Sequence, residues 1–124
     1  MKVAAALWVV EKRPFLFRSR GQIAVCVLAS GFAFAALENL LYLKVYFPEP
    51  SSLLVAWRWS ICVGLHMGCS LIAGLGLMRI WHQTMMTRTR PKLGTGAVYM
   101  LSAMVLHGVY NGLVVLLSVL EYRI

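Results

Sequence analysis

Residues 31–47, GFAFAALENLLYLKVYF, form an apolar run of membrane-spanning quality that carries a glutamate and an asparagine side by side, Glu38 and Asn39. An acidic side chain at the centre of a spanning helix costs about 2.5–3.5 kcal/mol on translocon-type scales. A chain that keeps one has a partner for it or a use for it. Two later apolar runs each hold an interior histidine, His66 and His107, and these are the first groups to test as partners.

The chain has 124 residues, 60% of them hydrophobic, which excludes an ordinary soluble domain and predicts an integral membrane protein. The expected fold is all-α: a polytopic transmembrane helical bundle with three full spans plus an N-terminal half-span, in a single membrane domain over residues 1–124. The formal charge of +8 raises the possibility of nucleic-acid binding, but the positions of the charges argue against it. Lys12, Arg13, Arg18 and Arg20 fall in one connecting segment, and Arg79, Arg88, Arg90 and Lys92 in another. Basic loops separated by two spans lie on one side of the membrane, and the positive-inside rule makes that side cytoplasmic. Loops 11–20 and 79–93 are therefore expected in the cytoplasm, the partner is the lipid bilayer, and no nucleic acid is expected. Cys26, Cys62 and Cys69 are odd in number, lie in apolar runs and form no CxxC pair, so they read as inert buried thiols.

In order, residues 2–10 (KVAAALWVV) are apolar but too short to cross a core that needs about 20 helical residues. They read as the back half of a span. The full spans are expected at about 22–47, 53–81 and 95–120. Between the first two, Pro48 and Pro50 break the chain and Ser51 or Ser52 supplies an N-cap. Trp57 and Trp59 at one end of the second span, with Arg79 and Trp81 at the other, read as interfacial anchors. Gly64 with Gly68, and Gly108 with Gly112, recur at four-residue spacing and predict close helix packing.

At 1.5 Å per residue, counted from the cytoplasmic ends, Glu38 lies about 24 Å up, His66 about 22 Å, His107 about 18 Å and Asn111 about 24 Å. Three helices thus put costly groups in one layer. The faces agree: Arg58, Cys62, His66, Ser70 and Gly74 follow i, i+4 spacing, as do His107 with Asn111 and Phe34, Glu38 and Tyr42. A polar stripe on a lipid-embedded helix faces the bundle or a water-filled cavity, so the layer reads as a functional site.

At these residues the sequence resembles the PrsW family of intramembrane proteases, relatives of the CAAX prenyl endopeptidases. Phe34 to Asn39 (FAALEN) matches that family's FxxxEN motif, with Tyr42 following. Arg58 and the run His66 to Gly74 are similar to its R…HxxxTxxxG motif, with Ser70 in the Thr position, and His107 to Asn111 (HGVYN) is similar to its closing HxxxN. The family's opening EExxK element has no counterpart before Glu38. Lys2 stands about where its lysine falls, which predicts that the chain is an N-terminally shortened form whose two glutamates lie just upstream of Met1.

The resemblance implies hydrolysis of a peptide bond in a membrane-anchored protein, such as an anti-sigma factor, in a bacterial cytoplasmic membrane. In the family's full pattern the two upstream glutamates are the leading groups to activate water. In this chain Glu38 is the one carboxylate within an apolar run, which assigns it as base or support of the base, with His66 and His107 as water-orienting or oxyanion donors and Asn111 as oxyanion donor. Asn39, Arg58, Ser70 and Tyr42 are supporting or substrate-binding residues. No cofactor is required on that reading. Two alternatives stand beside it. Glu38, His66 and His107 form the donor set of a hydrolytic zinc site, giving a metal-dependent peptidase. A chain without EExxK is also compatible with a non-catalytic membrane module that binds a partner helix.

Overall fold

The computed structural model describes residues 3–121, with side chains to residue 117, so Lys2 and the chain upstream of it lie outside the described residues. Within them the chain is helical and contains no strand. Helix α1 is Ala4–Lys12, α2 is Arg20–Leu41, α3 is Ser52–Trp57, α4 is Val63–Thr87 and α5 is Ala97–Glu121. A π-helical turn, Tyr42–Tyr46, extends α2, and another, Arg58–Cys62, joins α3 to α4 in one rod. Three helical stretches, Arg20–Tyr46, Ser52–Thr87 and Leu93–Leu117, are long and apolar enough to cross a membrane.

Local chemistry sets the helix starts. Ser19 Oγ accepts from the Gln22 backbone N–H at 3.3 Å, and Gln22 Oε1 accepts from the Arg18 N–H at 2.7 Å, a reciprocal arrangement of the capping-box kind. Ser51 is the N-cap of α3, its Oγ accepting from the Leu54 N–H at 3.2 Å. The chain leaves α4 through Arg88, whose φ of 52° is the left-handed conformation common just past a helix C-terminus.

Helix α4 is the axis of the bundle: α2 packs along it most extensively, α5 on another side, and α1 against both α4 and α2. Val10, Ile23, Val27, Leu77 and Ile80 are wholly buried where α1, α2 and α4 meet, and Ala103 brings α5 onto the same cluster. The Trp81 indole N–H donates to the Pro14 carbonyl at 2.9 Å and ties the first basic loop to α4. The outer face of α5, with Val98, Leu101, Val105 and Val115, is left open. In water such a face would be an aggregation patch; in a bilayer it is the ordinary lipid-facing surface.

The close-packing glycines are not those that the spacing suggests. A Cβ added at Gly64, Gly68, Gly108 or Gly112 would meet nothing within 4 Å. One at Gly31 would come within 2.5 Å of Ser70 Oγ, and one at Gly74 within 2.6 Å of Val27 Cγ2. Four-residue spacing says only that two small residues share a helix face. At Gly64, Gly68, Gly108 and Gly112 that face is turned away from the neighbouring helices.

Candidate functional site

The core of aliphatic side chains gives way, further along α2 and α4, to a buried polar cluster. Asn39, Arg58, His66 and Ser70 are all buried, and the Glu38 side chain keeps 28% of its exposure. Glu38 and Asn39 come from the last turns of α2, Arg58 from the π-turn that precedes α4, and His66 from the first turn of α4 proper. The stripe of Arg58, Cys62, His66, Ser70 and Gly74 expected from i, i+4 spacing is buried throughout.

Arg58 is the hub. Its Nη2 lies 3.3 Å from Glu38 Oε1, and its Nε donates to Asn39 Oδ1 at 3.1 Å. Asn39 answers by donating from Nδ2 to the Arg58 carbonyl at 3.0 Å. A widened π-turn accommodates such an outside bond, because its ladder is already relaxed from the α-helical pattern. The guanidinium carbon also sits 3.8 Å above the centre of the Tyr42 ring, a cation–π contact. Asn39 is therefore tied to Arg58 from both ends of its amide, and Tyr42 covers the cation.

The other carboxylate oxygen, Glu38 Oε2, lies 3.4 Å from His66 Nε2. The His66 ring is stacked on Phe34 at 5.5 Å between centroids and meets the His107 ring edge-on at 4.9 Å. One turn along α5 from His107, Asn111 Nδ2 stands 3.5 Å from His107 Nε2. Glu38, His66, His107 and Asn111 are thus brought into one chain of neighbours from three helices. Beside them lies an apolar cavity of about 280 Å³, with Phe34, Ser70, Met104 and His107 in its wall.

The structure adds residues that spacing did not single out. Trp57, read from the sequence as an interface anchor, donates from its indole N–H to the Tyr110 hydroxyl at 3.1 Å, and Cys62 Sγ is 3.3 Å from the same oxygen. This joins the start of the α3–α4 rod to α5 next to His107. Tyr110 falls inside the HGVYN run, which is the one signal that could have drawn notice to it. Cys26, Cys62 and Cys69 are free thiols, the last two buried.

The donor chemistry of Glu38, His66 and His107 suits zinc, but as placed they do not form a ligand set. No group of three His, Cys, Asp or Glu among the described residues is arranged to hold a metal ion. The reasons are on the carboxylate and the rings: Glu38 Oε1 is taken by the Arg58 cation, Oε2 faces His66 Nε2, and His107 Nε2 is turned to Asn111.

Comparison with known proteins gives the family. The family model described as PrsW family intramembrane metalloprotease matches residues 1–122. Comparisons with curated proteins and with solved structures give no match. The match runs over nearly the whole chain and includes every residue of the polar cluster, and the chain belongs to the PrsW family of intramembrane proteases.

Proposed function

We propose that this chain is an intramembrane peptidase, one membrane domain that hydrolyses a peptide bond of a membrane-anchored protein with water activated at Glu38. The observation that carries the reading is the meeting of Glu38, His66 and His107 from α2, α4 and α5 beside an apolar cavity. Glu38 is held through Oε1 by Arg58, which leaves Oε2 as the oxygen on the histidine side. A water bound beside that oxygen and oriented by the imidazoles gives its proton to Glu38 as its own oxygen bonds to the scissile carbonyl carbon. His107 and Asn111 donate hydrogen bonds to the oxyanion that forms. When the C–N bond breaks, the proton on Glu38 passes to the leaving amine.

Asn39 and Arg58 are positioning residues in this scheme, acting through Glu38. Tyr42 holds the guanidinium in place, and Ser70 lines the cavity that receives substrate. The family's description implies a metal. Glu38, His66 and His107 do not form a ligand set for one as placed, and every step above belongs to the chain's own groups.

The substrate class is a single-span membrane protein, of which an anti-sigma factor is the example that family resemblance suggests. The setting is a bacterial cytoplasmic membrane with the basic segments 11–20 and 79–93 on the cytoplasmic side, the second of them helical as far as Thr87, a placement supported by their charge.

The deciding experiment is cleavage of a single-span reporter in proteoliposomes by the wild type and Glu38→Gln. The substitution keeps shape and removes the base, so turnover falls by about 100-fold or more while helicity and elution are kept. Undiminished cleavage removes Glu38 from the chemistry. A second reading rests on the Arg58–Glu38 pair itself: a carboxylate already satisfied by a guanidinium is stable without any reaction. On that reading the chain is a non-catalytic module, the wild type has no cleavage to lose, and Glu38→Gln leaves partner binding intact.

A further inference from the structure

At the other end of the bundle, about 20 Å along α4 from His66, the helix end beside the second basic loop meets the start of α5. A second cavity lies there, of about 890 Å³, within the size range of small-molecule sites. Its polar wall includes Arg79, His82, Thr95 and Tyr99, and Met86 and Val98 give it an apolar side. No carboxylate is among its lining residues.

Arg79 is held rather than loose. Its Nη1 donates to the Tyr99 hydroxyl at 3.2 Å, which fixes the guanidinium across the gap between α4 and α5. A guanidinium carries five N–H donors in a rigid fork, so that bond leaves most of them for an acceptor. An arginine that merely snorkels needs only a route to the interface. Here the cation faces a cavity shared with an imidazole and a threonine hydroxyl, and Met86 and Val98 are open at its edge as hydrocarbon would require. The adjoining segment adds Arg88, Arg90 and Lys92, which raise the local positive potential.

We propose that this cavity binds the phosphate group of an anionic membrane phospholipid. Arg79 donates to the phosphate oxygens through N–H groups that Tyr99 does not engage, and the acyl chains leave along Met86 and Val98. Basic pockets between membrane helices at the positively charged end of a bundle are suited to phosphate headgroups. The proposal does not depend on Glu38 or on peptidase activity.

The test uses the full chain in detergent, titrated in turn with short-chain phosphatidylglycerol, short-chain phosphatidylcholine and inorganic phosphate, with binding read by native mass spectrometry. Phosphatidylglycerol is expected to bind more tightly than phosphatidylcholine. Arg79→Gln should weaken phosphatidylglycerol about fivefold, the loss of one cation at an anionic surface, and Arg88→Gln, in the loop and outside the cavity, should weaken it distinctly less. Equal affinity for the two lipids overturns the proposal, and so does an equal loss in Arg79→Gln and Arg88→Gln, which would reflect basic charge in general. Inorganic phosphate that displaces phosphatidylglycerol at comparable concentration keeps the phosphate site but overturns the lipid as its ligand. Arg79 is exposed and outside the packed core, so the substituted chain is expected to fold; Tyr99→Phe, which frees the guanidinium without removing it, is expected to weaken phosphatidylglycerol less than Arg79→Gln.

Discussion

Arg58 and Glu38, twenty positions apart in sequence, stand 3.3 Å from one another between α2 and the π-turn before α4, with Asn39 and Tyr42 closing the guanidinium on two further sides. The pair answers the problem set by an acidic residue in an apolar run. A buried ion pair gains little over apolar packing, but a buried charge deprived of its partner is costly. The contact therefore explains how Glu38 is tolerated, and it makes the fold sensitive to Arg58.

Arg58→Ala is expected to destabilise the chain by about 2–4 kcal/mol, because it leaves Glu38 and Asn39 Oδ1 without the guanidinium, while the Asn39 Nδ2 bond to the main-chain carbonyl at 58 is kept. Arg58→Lys should fall between, since it keeps a charge and loses the Nε bond to Asn39 and the flat stacking on Tyr42. Denaturant unfolding in detergent micelles measures both. Equal stability of Arg58→Ala and wild type would show that the pair carries no structural load.

Gly31→Ala should destabilise the α2–α4 crossing by about 1–3 kcal/mol, the usual range for overpacking, because the new methyl would stand 2.9 Å from Ser70 Cβ. Combining it with Ser70→Gly should restore stability. Gly64→Ala, into open space, should be neutral or slightly favourable. Thermal unfolding of the three variants distinguishes a contact effect from a general intolerance of added methyls.

The Trp57–Tyr110 bond can be isolated with a double-mutant cycle over Trp57→Phe and Tyr110→Phe. A coupling of about 0.6 kcal/mol is expected, the average for side-chain hydrogen bonds between membrane helices. Strict additivity would mean that the 3.1 Å contact is incidental.

On the catalytic reading, Asn111→Ala should lower kcat by about 100-fold or more with little change in KM, as removal of an oxyanion donor does. Ala103→Phe, which fills the apolar cavity beside His107, should instead raise KM for substrates with a bulky apolar residue at the cleavage point and spare smaller ones. Steady-state kinetics on a pair of reporters that differ at that residue separates these outcomes. If both variants changed only kcat, the cavity would not be where substrate side chains bind.

Membrane-spanning helices, the serine cap that opens the second span and the existence of a polar layer were legible from the residues alone, because hydropathy, capping and i, i+4 spacing are properties of neighbours along one chain. Glu38, His66 and His107 at matching depths already announced a meeting of helices. What they meet as was decided by the tertiary structure. Arg58 turns onto both Glu38 and Asn39, Trp57 bonds Tyr110 rather than serving only as an anchor, and Gly31 and Gly74, not Gly64 and Gly68, let α2 approach α4. Each of these depends on which faces of α2, α4 and α5 pack together, and at what rotation. A single turn carries candidates for several faces, so the choice among them rests on contacts between residues far apart in the chain.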